Sequence, residues 1–346
     1  MSEVSSLFQL IQYAGCDYCV FDTGRRVSEI NKETFEQFEK GLIPYPTPIQ
    51  QSARFALVYW PLANPSNPFI WFLNLPLDEE SQVIAGSRNH FVAIIQEAMG
   101  QSFAENSNEE QQKLPDNPYI KLPDSNKIAV VNAAVKRKLN QDTSTQMQAC
   151  LDYLMHEKLE NWRTLSVQGW ADLLSKLDDP KIQSLFDKHF FDLPDEMLQE
   201  ITPLIEHHRL SRALNNRLLK TLKSTSEFNV QSIQYLRCIS AYSDLPPFIE
   251  WLTEQLQSNK ENLTDDFYAL IAGRCWNALQ DPLVLSMYLE NIAELKQASF
   301  SALFKDLVSL PAIRRPILAM MQNPNALIKT RKAVTTMIRE QYGTTH

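Results

Sequence analysis

Residues 281–311 read DPLVLSMYLENIAELKQASFSALFKDLVSLP. The run contains no glycine, opens on Asp281-Pro282 and closes on Leu310-Pro311. Proline near the first helical position, beside an acidic or polar residue, marks a helix start, because its missing amide has no intrahelical partner there anyway. Similar marks stand at Asp179-Pro180 and Leu193-Pro194-Asp195, and Pro246-Pro247 begins another helix. Working outward, residues 101–342 hold two glycines, Gly169 and Gly273, and the whole chain holds 8 in 346. Average usage would give about 24. Glycine supplies positive φ, tight strand turns and close approach to phosphates, so a region nearly without it does not build a Rossmann crossover, a P-loop or a β-rich domain. From Asp124 onward the pattern predicts about eleven helices at intervals of 15–20 residues, each with an inward stripe, stacked as HEAT-like hairpins.

The first hundred residues change period repeatedly. A short amphipathic helix carries Leu7, Leu10, Ile11 and Ala14 on one face and ends at Gly15. Tyr18–Asp22 and Arg26–Ile30 read as a hairpin around Thr23-Gly24, and Asn31–Lys40 as a helix ended by Gly41. Pro44-Tyr45-Pro46-Thr47-Pro48 is an extended crossing. Ala53–Leu62 and Phe69–Leu75 are strands apolar on both faces, which implies a sheet covered on both sides. A helix over Ser81–Met99 follows. Residues 101–118 are polar with little to bury. The expected architecture is an α+β domain over 1–100 (two hairpins with helices), a linker or mobile loop over 101–118, and an all-helical, HEAT-like superhelical domain over 119–346.

Charge is uneven. The chain has formal net charge −8; residues 1–120 hold 7 Lys/Arg and 15 Asp/Glu, whereas residues 301–346 hold 7 and 2. Opposite ends of opposite sign can steer a contact, although solvated surfaces of chance composition look the same. No run reaches the eighteen or so apolar residues a membrane span needs. Tyr13-Ala14-Gly15-Cys16 lacks the positive start and unbroken apolar core of a signal peptide. Five widely spread cysteines without a signal suggest reduced thiols and a cytoplasmic protein. Cys16 and Cys19 form one C-x-x-C with no second pair at zinc spacing; half-buried cysteines beside a strand are the plain reading, and a redox or metal role is the alternative.

Pro44-Tyr45-Pro46, Ile70-Trp71-Phe72-Leu73 leading into Leu75-Pro76-Leu77-Asp78-Glu79, and Gly273-Arg274-Cys275-Trp276 together resemble an uncharacterised bacterial family catalogued as domain of unknown function 3549. The likeness covers essentially the full length. It implies a bacterial origin and no known activity, and it assigns no catalytic residue.

Several motifs invite chemistry. Phe21-Asp22-Thr23-Gly24 copies the aspartic-protease signature, but that reaction needs two facing carboxylates and the chain has one copy, followed by Arg25-Arg26. Turn chemistry accounts for it, and Asp22 is expected to behave as a surface turn residue. Asp78, Glu79 and Ser81 suit a helix N-terminus, or Asp78 or Glu79 pairs with Arg88 or Arg25 at a ligand site. The six histidines show no ligand spacing, and no nucleophile elbow exists. Arg274 falls on an apolar stripe and calls for a partner, with Asp306 the candidate and a bound anion the alternative. Arg209, Arg212, Arg217, Lys220 and Lys223 form one basic arc, a solvated face or an interaction face; the neighbourhood lacks aromatics for base stacking, and nucleic acid is not expected. No catalytic constellation, cofactor or metal site is legible. The expectation is an interaction scaffold or adaptor that binds another protein. The alternatives are a ligand-sensing module built on the sheet near Trp60, Trp71 and Arg88, or an enzyme of unrecognised type.

Overall fold

The computed structural model describes residues 6–105, 116–155, 159–225 and 228–343. Two compact units divide the chain: Met1–Val131 with Lys138–Gln141, and Asn132–Arg137 with Asp142–His346.

The first unit holds α1 (Leu7–Tyr13), β1 (Cys16–Asp22), β2 (Ser28–Ile30), α2 (Lys32–Glu39), β3 (Ser52–Pro61), β4 (Phe69–Pro76), α3 (Ala85–Glu105) and the start of α4 (Ser125–Lys138). The strands form one antiparallel sheet in the order β2-β1-β3-β4. Val20 faces Ile30, Cys19 faces Val58 and Leu57 faces Trp71 across the ladders. Alternation sends Tyr18, Val20, Phe55, Leu57, Leu73 and Leu75 into the main core, where they meet Leu7, Phe35, Phe38 and Phe91. Cys19, Phe21, Ala56 and Val58 on the opposite face are buried as well, so the sheet is covered on both sides. α2 begins at Asn31, whose side chain accepts from the Thr34 amide at 2.7 Å. It ends where Gly41 takes φ +68° and Leu42 closes back on the Gln37 carbonyl.

Residues 106–115, most of the expected linker, lie outside the described residues, and residues 101–105 are the last turn of α3. Beyond them the chain returns to the sheet. Lys121 donates to the Phe72 carbonyl, Asn74 donates to Tyr119, and Tyr119 is buried in the core. Residues 119–131, read from sequence with the helical array, thus count with the first unit.

The second unit is helical throughout its described residues. Its helices are α5 (Thr145–Met155), α6 (Val167–Leu174), α7 (Pro180–His189), α8 (Asp195–Ile205), α9 (Arg212–Ser224), α10 (Val230–Cys238), α11 (Pro246–Ser258), α12 (Asp265–Arg274), α13 (Pro282–Ile292), α14 (Gln297–Ser309), α15 (Pro311–Gln322) and α16 (Ile328–Gly343). They stack in two rows. α6, α8, α10, α12, α14 and α16 touch in succession, and so do α9, α11 and α13. The proline marks are real starts: Pro180, Pro246, Pro282 and Pro311 occupy the first turns of their helices. Asp179 and Asp281 accept from amides of those turns, which joins the mark to a cap. The architecture is a small α+β portion followed by a helical array.

Candidate functional site

The site is built where α9 lies beside α11. Ser211 caps α9 by accepting the Leu214 amide at 2.9 Å, which fixes Arg212 as the first helical residue. Pro246 and Pro247 occupy the first two positions of α11 and carry no N–H, while the Phe248 and Ile249 amides turn back to the Leu245 carbonyl. The start of α11 therefore leaves few of the free donors of an ordinary helix N-terminus, and it faces an apolar space at little cost. That space is an open cavity of about 510 Å³. Leu219, Ile239, Leu245, Pro246, Pro247 and Phe248 form its greasy wall; Arg212, Asn215, Asn216 and Tyr242 supply the polar groups.

A second cavity of about 370 Å³ shares Arg212 and Tyr242 with the first. Its other walls are mostly polar or charged, with Arg137, Ser175, Asp178, Gln183, His208, Arg209 and Ser211, and Leu174, Leu177 and Leu210 complete them. Arg137 is held by Asp178 at 2.9 Å and by the Ser175 carbonyl. Arg209 pairs with Asp244 at 3.3 Å and lies over the Tyr242 ring. Arg212 makes no ion pair among the described residues, and it stands where the two cavities join. Burial, with help from the Arg137 charge, pushes the His208 ring down to about 4, so it is neutral at pH 7. Asn215 is 4% exposed. Its amide nitrogen donates to the Leu210 and Ser211 carbonyls, and its buried Oδ1 has no hydrogen-bond partner among the described residues. The result is a two-part groove, one half apolar and one half polar with surplus positive charge at the junction.

The basic arc is thereby reassigned. Arg209 precedes the helix, because Ser211 starts it, and is engaged by Asp244 and Tyr242. Arg217 donates to the Asp187 carbonyl and lies 4.5 Å over the Phe191 ring. Lys220 and Lys223 are exposed. Only Arg212 of the arc reaches the groove's apolar half. Sequence reasoning noticed Arg212 and the proline pair but not Asn215, Leu219, Tyr242 or Leu245. The available signal was Leu245-Pro246-Pro247, an apolar residue ahead of a helix start that needs no capping.

The remaining candidates serve the fold. Arg274 pairs with Glu206, Nε to Oε1 at 2.9 Å, and not with Asp306. Asp306 sits on α14, where its charge, after burial, helps push the Tyr288 hydroxyl well up. Asp78 accepts from the Glu80 and Gln82 amides and shapes the turn ahead of α3; Arg88 donates to Asn89 and to the Glu39 carbonyl. The two are not paired with each other. Trp71 packs against Tyr59 and Phe91, within the sheet core. Cys16 and Cys19 are three residues apart on a strand, so their thiols lie on opposite faces. Burial pushes Cys19 up to about 12, the opposite of a reactive thiol.

Asp22 is not a surface turn residue. It is 1% exposed and latches the proline-rich crossing. Oδ1 accepts the Gly24 amide at 2.8 Å, while Oδ2 accepts the Tyr45 hydroxyl at 2.8 Å and the Thr47 hydroxyl. Arg25 adds a bond to the Pro48 carbonyl. Burial raises the Asp22 carboxyl to about 6, against those hydrogen bonds. The protease-like signature and Pro44-Tyr45-Pro46 are two halves of one structural contact.

Among the described residues no helix is long and apolar enough to cross a membrane, and no group of three His, Cys, Asp or Glu side chains is placed to hold a metal ion. No curated protein and no solved structure matches the chain. One family model does match, and it spans residues 2–338, taking in the latch, the sheet and the helical array alike. The chain belongs to the family described as Protein of unknown function (DUF3549).

Proposed function

We propose that the chain works by binding rather than by catalysis, as an adaptor whose helical array holds another protein in the α9–α11 groove. The observation that carries this reading is the open, largely apolar cavity of about 510 Å³ whose edge holds Arg212, a guanidinium with no ion pair among the described residues. Concave apolar surface with a few convergent polar groups is the usual form of a binding site. The carboxyl groups pushed furthest toward neutrality, Asp22 and Glu39, are both closed in by hydrogen bonds to their own fold, which removes them as candidates for acid–base work. A reducing compartment, the cytoplasm, suits the five free cysteines.

The test is site-specific photo-crosslinking. A photoreactive amino acid in place of Leu245 should yield a discrete crosslinked protein from cell extract. The same group at Leu318, an exposed apolar residue on α15, should not. Identical products at both positions, or none at Leu245, would remove the groove from this role.

A further inference from the structure

The groove's two halves differ in chemistry, and that difference names an occupant. We propose that it takes an extended segment of a partner protein in which an acidic side chain stands next to an aliphatic or aromatic one. The proposal rests on the adaptor reading and goes further by naming the recognised segment.

Charge complementarity selects the acidic residue. Three guanidinium groups line the polar half, from Arg137, Arg209 and Arg212. Asp178 and Asp244 neutralise the first two, and Arg212 alone is without an ion pair among the described residues. His208 adds no charge at pH 7, since burial and Arg137 hold it neutral. The net positive position is therefore at Arg212, on the boundary with the apolar half. An acidic side chain placed there leaves its neighbour facing Leu219, Ile239 and Phe248.

Shape selects a peptide over a lipid. The apolar half is open to solvent and no larger than a pocket for a small ligand. It has room for one or two large side chains and is not a tunnel for an acyl chain. The polar half beside it, with Ser211, Gln183 and the Tyr242 ring, offers hydrogen bonding along a backbone rather than a second greasy surface. In the apolar half Asn215 Oδ1 is a buried acceptor with no hydrogen-bond partner among the described residues. A peptide amide matches such an acceptor once the occupant has displaced the wall around it, and a fatty acid has no N–H to give.

The experiment uses the full chain and fluorescein-labelled ten-residue peptide pools, read by anisotropy. In the first pool a central Asp is flanked on both sides by Leu or Phe; in the others Asp becomes Lys or Asn, or the apolar residues become Ser. The first pool should bind about tenfold tighter than the Lys and Ser pools at low salt, and the gap should narrow as salt screens the charge. Arg212→Glu should invert the preference toward the Lys pool. Leu245→Glu should abolish binding of every pool. Both positions are exposed, so folding is retained, and thermal melts check it. Equal binding of the Asp, Asn and Lys pools overturns the charge assignment while the adaptor reading stands. Binding of a fluorescent fatty acid with no peptide binding overturns the occupant. No pool binding while Leu245 still crosslinks to a protein overturns the acidic–apolar segment alone.

Discussion

Glu206 and Arg274, 68 residues apart, meet at 2.9 Å. The other oxygen of Glu206 takes Arg237 Nε at 2.7 Å. The three residues stand at or near the C-terminal ends of α8, α12 and α10, successive members of one helix row. A carboxylate just past the end of α8 opposes that helix's dipole, and Glu206 is 2% exposed. Two guanidinium groups make its burial tolerable.

Removing Arg274 leaves Glu206 with one partner, so Arg274→Ala should cost about 1.5–3 kcal/mol, the range for a hydrogen bond to a charged group. Glu206→Ala leaves two cations without their anion. Both are about a quarter exposed and can turn toward water, which keeps the loss near the lower end of about 3–5 kcal/mol. Arg212→Ala should stay within about 0.5 kcal/mol. Urea unfolding of the three variants checks the order. Equal small losses at Arg274 and Arg212 would show that the clamp does not form.

The contrast between these residues shows what sequence carries. Helix starts were legible because Asp179-Pro180 and Asp281-Pro282 act within three residues of themselves. The strands were legible because their alternation is local. Arg274 announced that it needed a partner, but the partner depended on which helices share a row, and the next helices in sequence suggested Asp306. Asp22 was misread for a similar reason. Its turn looks like a surface turn until Tyr45 and Thr47 close over it from 23 and 25 residues away. The groove was hidden most completely, since α9 and α11 make it jointly and neither shows it alone.

Asp22→Asn should cost about 1–2 kcal/mol, more than a surface change. Asn can still accept the Gly24 amide, and Tyr45 keeps the Arg54 carbonyl at 3.1 Å, but the Thr47 and Tyr45 hydroxyls lose an anionic acceptor. Asp22→Ala should cost roughly 2–4 kcal/mol, with Tyr45 fluorescence or proteolysis near Pro46 reporting a loosened crossing. A null effect of both would mean the latch contributes nothing.

Glu39 caps α1 from another helix: the Leu7 and Phe8 amides donate to its two oxygens at 2.9 and 3.0 Å. Burial raises this carboxyl to about 7 from an ordinary 4.5, and the two amides pull the other way. The native state then binds a proton that the unfolded chain has released between about pH 4.5 and 7. Stability from Glu39 is therefore greatest at low pH and is lost as pH rises through that window. Urea midpoints at pH 5 and pH 7.5 should fall more steeply for the wild type than for Glu39→Gln. Parallel slopes would mean that the amides hold the group at an ordinary value.

The two glycines at the centre of the helical array should respond to alanine in opposite directions. At Gly169, in α6, an added Cβ would meet the Gln146 carbonyl oxygen at 2.6 Å, its carbon at 2.9 Å and Cys150 Sγ at 3.0 Å. Two of these are backbone atoms of α5, so the helices must part, and such overpacking costs about 1–3 kcal/mol. At Gly273, in α12, a Cβ meets nothing within 4 Å. Alanine there gains helix propensity and narrows the unfolded chain, an improvement of roughly 0.4–1 kcal/mol. Gly169 is thus kept by the close contact of α5 with α6, whereas Gly273 has no such contact to protect. Thermal melts of Gly169→Ala and Gly273→Ala should move to opposite sides of the wild type. A stabilised Gly169→Ala would mean that α5 and α6 pack less closely than the structure places them.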